Sequence, residues 1–207
     1  MRIIGVTGGV GAGKSTVLKM LEELTKCIVI RTDEVAKETT LPGGAAYSQI
    51  VKLLGDEILQ SDGCIDRKKM ASIIFSDEKL CEKVDAVIHP LTRSEVVRRL
   101  RAAYDAGKYE YAFIEAALLI EAGYDSICEE FWYIYVPDEE RIKRLMADRG
   151  YSREKCISIM NNQLPDEEFR KHCRYVIDNS HDSDNTKKQL ERVLFLAENR
   201  TGGEDNE

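Results

Sequence analysis

Within the stretch GVTGGVGAGKSTVLKML, residues 5–21, Gly8, Gly13, Lys14 and Ser15 occupy the fixed positions of the pattern G-x-x-x-x-G-K-[ST]. Glycines let successive backbone N–H groups converge on an anion, and a helix opening near Lys14 adds unpaired amides. The Lys14 ammonium can reach terminal phosphates, and the Ser15 hydroxyl can be offered to Mg2+. That cation is expected to take one or two protein oxygens and to complete its shell with phosphate and water, so a dedicated cage is not required. A dinucleotide loop fits less well, because Gly9 and Gly11 lack the third glycine of GxGxxG. An accidental glycine-rich turn is the plain alternative. The pattern's place between a strand-like and a helix-like segment favours a bound nucleoside triphosphate, and leaves open what is done with it.

The elements that must position this loop can be read outward from it. RIIGV, residues 2–6, is a β-branched run ending in the loop, and STVLKMLEEL carries apolar residues at helical spacing. CIVI, residues 27–30, reads as a second buried strand, followed at once by Arg31, Thr32 and Asp33. DEVAKE then opens a short helix with Asp33 as its N-cap, LPGGAAY breaks the chain, and a helix is expected over 45–54. Residues 56–108 show little strand pattern. IDRKKMASIIF has an Asp66 cap, and the stretch after it predicts two helical segments divided at Pro90, or one kinked helix. This region reads as a helical insertion of a size that suits a substrate-binding subdomain. The sheet resumes at 111–116, with a helix in LLIEAG, a strand at 131–136, charged helices in DEERIKRLMADRG and SREKCISIMNNQ, a short strand in YVIDNS and a last helix over 184–197. The polar TGGEDNE predicts a frayed tail, 198–207. Strands alternating with helices imply a mostly parallel, three-layer α/β sheet, five-stranded by this count.

Bulk properties narrow the class. A chain of 207 residues suits one domain with an excursion. With 30 Lys and Arg against 37 Asp and Glu, the net charge of −7 argues against broad attraction to nucleic acid or anionic membrane. The opening MRIIGVTGG has no charged leader and apolar core, and no apolar run approaches the length of a membrane span. Six scattered cysteines, Cys27, Cys64, Cys81, Cys128, Cys156 and Cys173, fit reduced thiols, and a cytoplasmic location is expected.

Other polar residues admit two readings each. Asp33 follows a strand at the edge where open α/β sheets bind ligands, so it can take the proton of a hydroxyl acceptor or simply cap a helix. Glu115 ends an apolar strand and can position a magnesium-bound water or serve as a strand-end carboxylate; Glu121 is a weaker candidate. Arg141, Arg144, Arg149 and Arg153 flank the break at Gly150 and Tyr151, where a hinged segment can close over a triphosphate; Arg141 and Arg144 share a helical face. His89 precedes Pro90 and can bond substrate phosphate or be structural, whereas His172 and His181 have no ligand spacing. Phe131, Trp132, Tyr133 and Tyr135 read as strand packing rather than base stacking.

Taken in order, TGGVGAGKST, IRTDEVAKE, HPL, ALLIEAG, RIKRLMADRG, NNQ and VIDNS resemble the dephospho-coenzyme A kinase family over most of residues 2–196. The resemblance implies a P-loop kinase fold with a helical coenzyme A-binding insertion at 56–108 and a lid at 138–163. It implies transfer of a phosphoryl group from ATP, with Mg2+, to the ribose 3′-hydroxyl of dephospho-coenzyme A. Asp33 matches the catalytic base. Gly9, Val10, Gly11, Ala12, Gly13, Lys14, Ser15 and Thr16 match the ATP loop, with Ser15 at magnesium. Arg144 matches a lid arginine on phosphate, and Asn179 lies in the segment near adenine. His89 and Leu118 fall in acceptor-side segments, and no obligate protein partner is implied. Two departures stand out: Arg31-Thr32-Asp33 replaces Asp-Ala-Asp, and Ala117 replaces the proline of PLL. Another small-molecule kinase, a structural ATP-binding module and a GTP switch are the competing readings; a switch should carry NKxD, which does not occur.

Overall fold

The computed structural model describes residues 1–199. Along the chain run β1 (Arg2–Thr7), α1 (Lys14–Leu24), β2 (Cys27–Arg31), α2 (Thr32–Thr39), α3 (Tyr47–Leu54), α4 (Arg67–Phe75) and α5 (Glu78–Asp105). There follow β3 (Tyr111–Glu115), β4 (Glu130–Tyr135), α6 (Asp138–Arg149), α7 (Arg153–Asn161), α8 (Asp166–His172), β5 (Tyr175–Asp178) and α9 (Ser183–Glu198). They group into two compact units: Ile30–Asp105, and Met1–Val29 together with the chain from Ala106 onward.

The five-stranded sheet is ordered β2-β3-β1-β4-β5 and its strands are parallel. β1 therefore lies in the centre, with Val6 opposite Glu115 of β3 on one side and Trp132 of β4 on the other. Parallel strands bring all their C-terminal ends to one edge, and the chain's crossing from β3 over β1 to β4 makes the end of β1 the place where neighbouring loops diverge. One sheet face buries Ile4, Val6, Trp132, Ile134 and Ile177 against Val17, Leu18 and Leu21 of α1 and Leu190, Val193 and Leu194 of α9. Aromatic rings run along it from Tyr111 through Phe113 and Trp132 to Tyr175, with centroids 5.7, 5.6 and 6.2 Å apart. On Tyr133, a neighbour of these in β4, the ring instead stacks on Phe169 of α8 at 4.7 Å.

The helical unit has its own core of Ile50, Leu54, Ile58, Ile65 and Val84. α5 runs unbroken through Pro90, so of the two expectations at that proline the continuous helix is the one observed. An interior proline costs about 3 kcal/mol in a helix. Here Leu80, Val87, Ile88 and Leu91 pack on the same core from both sides of it, so burial of one continuous face outweighs the lost hydrogen bond.

Three local expectations are corrected. Asp33 does not cap α2: the extended N-cap residue is Arg31, because β2 passes straight into the helix, and Asp33 lies within the first turn, where an acid is favoured by the dipole. LLIEAG forms overlapping turns, with Ala122 N–H bonded to Leu118 and Tyr124 N–H to Leu119, because Gly123 at φ 66° ends the segment before a helix can propagate. α8 adds a helix at 166–172, whose acidic first turn and basic last turn are themselves a readable signal. Asp66 does cap α4, accepting from the N–H groups of Lys68 and Lys69. The expected tail lies, from residue 200 on, outside the described residues.

Burial raises the pKa of the Cys27 thiol and pushes Cys173 up to about 12, which keeps both neutral and poorly nucleophilic.

Within the helical unit, Glu95 of α5 accepts two hydrogen bonds from Arg98, both 2.7 Å, and one from Arg99 at 2.9 Å, while Arg99 also pairs with Glu38 of α2. The Arg98 and Arg99 guanidiniums lower the Glu95 pKa from 4.5 to about 2. A carboxyl depressed in the folded state contributes stability above its unfolded pKa and loses it as pH falls toward the folded value. Glu95→Gln should therefore destabilise the protein by about 1 kcal/mol at neutral pH, once solvent screening is allowed for. Urea titrations of parent and variant should show the gap narrowing as pH falls below 4.5; a gap independent of pH would show that the carboxylate contributes nothing as a charge.

Candidate active site

The loop between β1 and α1 sits at the centre of the sheet's C-terminal edge. Its Gly8, Gly11 and Gly13 have φ of 148°, 79° and 82°, and among the described residues no other residue type adopts positive φ. A Cβ on Gly8 would stand 2.5 Å from the Ile134 carbonyl oxygen of β4, so this position requires glycine for space as well as conformation. The loop turns through the Ala12 N–H to Gly9 carbonyl bond, 3.2 Å, and Gly13 caps α1 by accepting from Thr16 and Val17. Ser15 and Thr16 stand exposed in the first helical turn.

Lys14 folds back over the loop. Its Nζ donates to the Gly8 carbonyl at 2.8 Å and lies 3.7 Å from Glu115 at the end of β3, both side chains being largely buried. The ammonium is thus held between the loop's own Gly8 carbonyl and a carboxylate at the end of β3.

Residues distant in sequence complete the loop's support. Asn179, just after β5, donates through Nδ2 to the Ala12 carbonyl at 2.8 Å and accepts at Oδ1 from the Thr186 hydroxyl at 3.0 Å. Its backbone N–H is bonded to Tyr135, and its carbonyl accepts from Arg144 Nη2 at 2.9 Å. Arg144 also lies 3.7 Å from Glu140. One turn earlier on α6, the buried Arg141 donates to the Val10 carbonyl, to Gln163 and to Asp138.

The structure therefore brings Gly9, Val10, Gly11, Ala12, Gly13, Lys14, Ser15, Thr16, Arg144 and Asn179 into one constellation in the sheet unit. Asp33 and His89 belong to the helical unit, His89 being exposed on α5 and 3.7 Å from Asp85. Leu118 lies half-exposed in the turn after β3. Arg153 pairs with Glu139, and Arg149 lies over the Tyr151 ring. Sequence reasoning missed the part played by Gln163: its Oε1 accepts from Val10 N–H, 153 positions away, at 2.9 Å. No local spacing carries that information.

Asn179 offers a direct test, because its amide must donate on one side and accept on the other. Asn179→Ala should lower stability by about 1–3 kcal/mol by leaving buried partners unsatisfied. The near-isosteric Asn179→Asp should be at least as damaging, since it sets an acceptor against the Ala12 carbonyl. Denaturant melts of both variants check this, and an aspartate variant as stable as the parent would refute the assigned donor.

The dephospho-CoA kinase family model matches residues 2–185. The chain is 36% identical over 192 residues to a dephospho-CoA kinase of Carboxydothermus hydrogenoformans, covering 93% of this chain and 92% of that one. It is 39% identical over 193 residues to a dephospho-CoA kinase of Geobacter sulfurreducens, covering 93% and 97%. The solved structure of TT1252 from Thermus thermophilus superposes with a TM-score of 0.82 at 28% identity, covering 95% of this chain and 97% of that one. With the family model spanning the loop, its supporting residues and the helical unit alike, the chain belongs to the dephospho-CoA kinase family.

Proposed function

We propose that the constellation around Lys14 holds the triphosphate of ATP, and that Asp33 serves the acceptor in the reaction of the family to which the chain belongs. That family phosphorylates dephospho-CoA with ATP in the last step of CoA biosynthesis. The observation that carries the reading is the complete phosphate loop at the central strand, already fixed in place by Lys14, Arg144 and Asn179. Such preorganisation matters because phosphoryl transfer leaves little covalent work to the protein: positioning and charge stabilisation supply most of the acceleration.

In the proposed reaction the ribose 3′ oxygen of dephospho-coenzyme A forms a bond to the γ-phosphorus. The bond from that phosphorus to the β–γ bridging oxygen breaks, ADP leaves, and the hydroxyl proton passes to the Asp33 carboxylate. Lys14 exchanges its contacts within the loop for phosphate oxygens, and Arg144 adds a second positive charge from α6. Ser15, whose hydroxyl stands exposed in the first turn of α1, would hold Mg2+ together with phosphate and water, and the cation would supply charge neutralisation there. Residues 56–108, with His89, and Leu118 in the sheet unit, are assigned to the acceptor side, and residues 138–163 to a lid that excludes water. On this reading the protein works in the cytoplasm, a location that its scattered cysteines suit as reduced thiols.

Incubation with ATP, Mg2+ and dephospho-coenzyme A should yield coenzyme A and ADP in equal amounts. Absence of the 3′-phosphorylated product from folded protein would reject the acceptor. Asp33→Asn should lower turnover by about 100-fold or more, the usual scale for loss of a general base, while ATP binding is retained. Turnover close to the parent's would remove Asp33 from that role.

A further inference from the structure

Around Val10 three hydrogen bonds close into a ring. Gln163 Oε1 accepts from the Val10 N–H at 2.9 Å, Arg141 Nε donates to the Val10 carbonyl at 2.9 Å, and Arg141 Nη2 donates to the same Gln163 oxygen at 3.0 Å. Both polar groups that Val10 contributes to the backbone are therefore held by side chains from outside the loop. Asp138 adds a contact to Arg141 Nη1 at 3.1 Å.

Gly9 fits this arrangement for a steric reason. It does not adopt positive φ, yet a Cβ there would stand 2.1 Å from Arg141 Nη2 and 2.4 Å from the guanidinium carbon. The missing side chain makes room for the guanidinium. Arg141 is only 8% exposed, so its bonds form where water competes little. The planar guanidinium presents adjacent donors in a fixed fork, which suits one oxygen of the loop and one of Gln163 together.

We infer that Arg141 and Gln163 are positioning residues for ATP: they set the peptide planes at the apex of the phosphate loop and so the direction of the amides that follow. A glycine-rich loop has many accessible conformations, and fixing it beforehand removes an ordering cost from ligand binding. Arg141 and Arg144 stand three residues apart on α6. The first grips Val10 directly, and the second bonds Asn179, which in turn bonds Ala12. Helix α6 thereby holds the loop at two points, and its placement and the loop's shape are one equilibrium. The inference rests on the reading that this loop binds ATP.

Four full-length variants test it: Arg141→Met, Gln163→Leu, the double variant and Gln163→Glu. ATP affinity is measured by equilibrium dialysis, apart from turnover, and KM for ATP and for dephospho-coenzyme A is measured by product formation. Each single variant should weaken ATP binding and raise KM for ATP by about tenfold, the consequence of losing a hydrogen-bonded ring of this kind. KM for dephospho-coenzyme A should stay within about twofold of the parent's, because only the donor loop is loosened. The double variant should be no worse than the worse single, since each change opens the same ring. Gln163→Glu keeps the accepting oxygens and should bind ATP far better than Gln163→Leu. Parental affinity in a folded Arg141→Met or Gln163→Leu protein, or multiplicative losses in the double, would overturn the inference. Should Arg141→Met fail to fold, the Leu and Glu variants of the partly exposed Gln163 decide the matter; unfolding of Gln163→Leu as well would also overturn it, by showing a general structural role. A parent that binds ATP but makes no coenzyme A would reject the proposed reaction and leave the dialysis result standing.

Discussion

A phosphate loop built from glycine has to be held, because the residues that let its amides converge are those that least resist other conformations. Gly8, Gly11 and Gly13 each adopt a backbone region open mainly to glycine, so the loop cannot define itself. Its shape comes from the frame. β1 delivers it from the buried centre of a parallel sheet, α1 carries the chain away, and side chains following β4 and β5 bond its carbonyls and one of its amides. Sheet order is what makes this possible, since parallel strands place every one of these attachment points on the same edge.

The electrostatics of the loop follow from the same packing. Lys14 would be costly to bury alone, and it is placed between the Gly8 carbonyl and the Glu115 carboxylate. Arg141 and Arg144 are likewise bonded to backbone carbonyls and flanked by Asp138 and Glu140. Positive groups are thus kept at fixed places, ready for an anion, with carboxylates limiting their mutual repulsion. Preorganised charge of this sort is the main resource a phosphoryl-transfer protein has.

The two compact units divide the proposed chemistry. Residues assigned to ATP belong to the sheet unit, whereas Asp33 and His89 belong to a helical unit with a separate apolar core. The helical unit tolerates Pro90 inside its longest helix because apolar residues on both sides of it share one core. In the same way, the Glu95, Arg98, Arg99 and Glu38 group ties α5 to α2, the helix whose first turn carries Asp33.

By itself the sequence determined the phosphate loop, the alternation of strands and helices, the Asp66 cap and the family, because each is written in local residue types and spacings or in the order of short motifs. Where several conformations were locally acceptable, tertiary structure decided. It kept α5 continuous through Pro90 by burial, moved the start of α2 to Thr32 by running β2 directly into it, and left LLIEAG as turns. It also chose Asn179, Arg141 and Gln163 as the loop's supports. These residues lie 131 to 167 positions from their partners at Val10 and Ala12. Only the sheet, by gathering the C-terminal ends of its strands, brings them within hydrogen-bonding distance, and a bond set by that gathering leaves no spacing in the chain from which to read it.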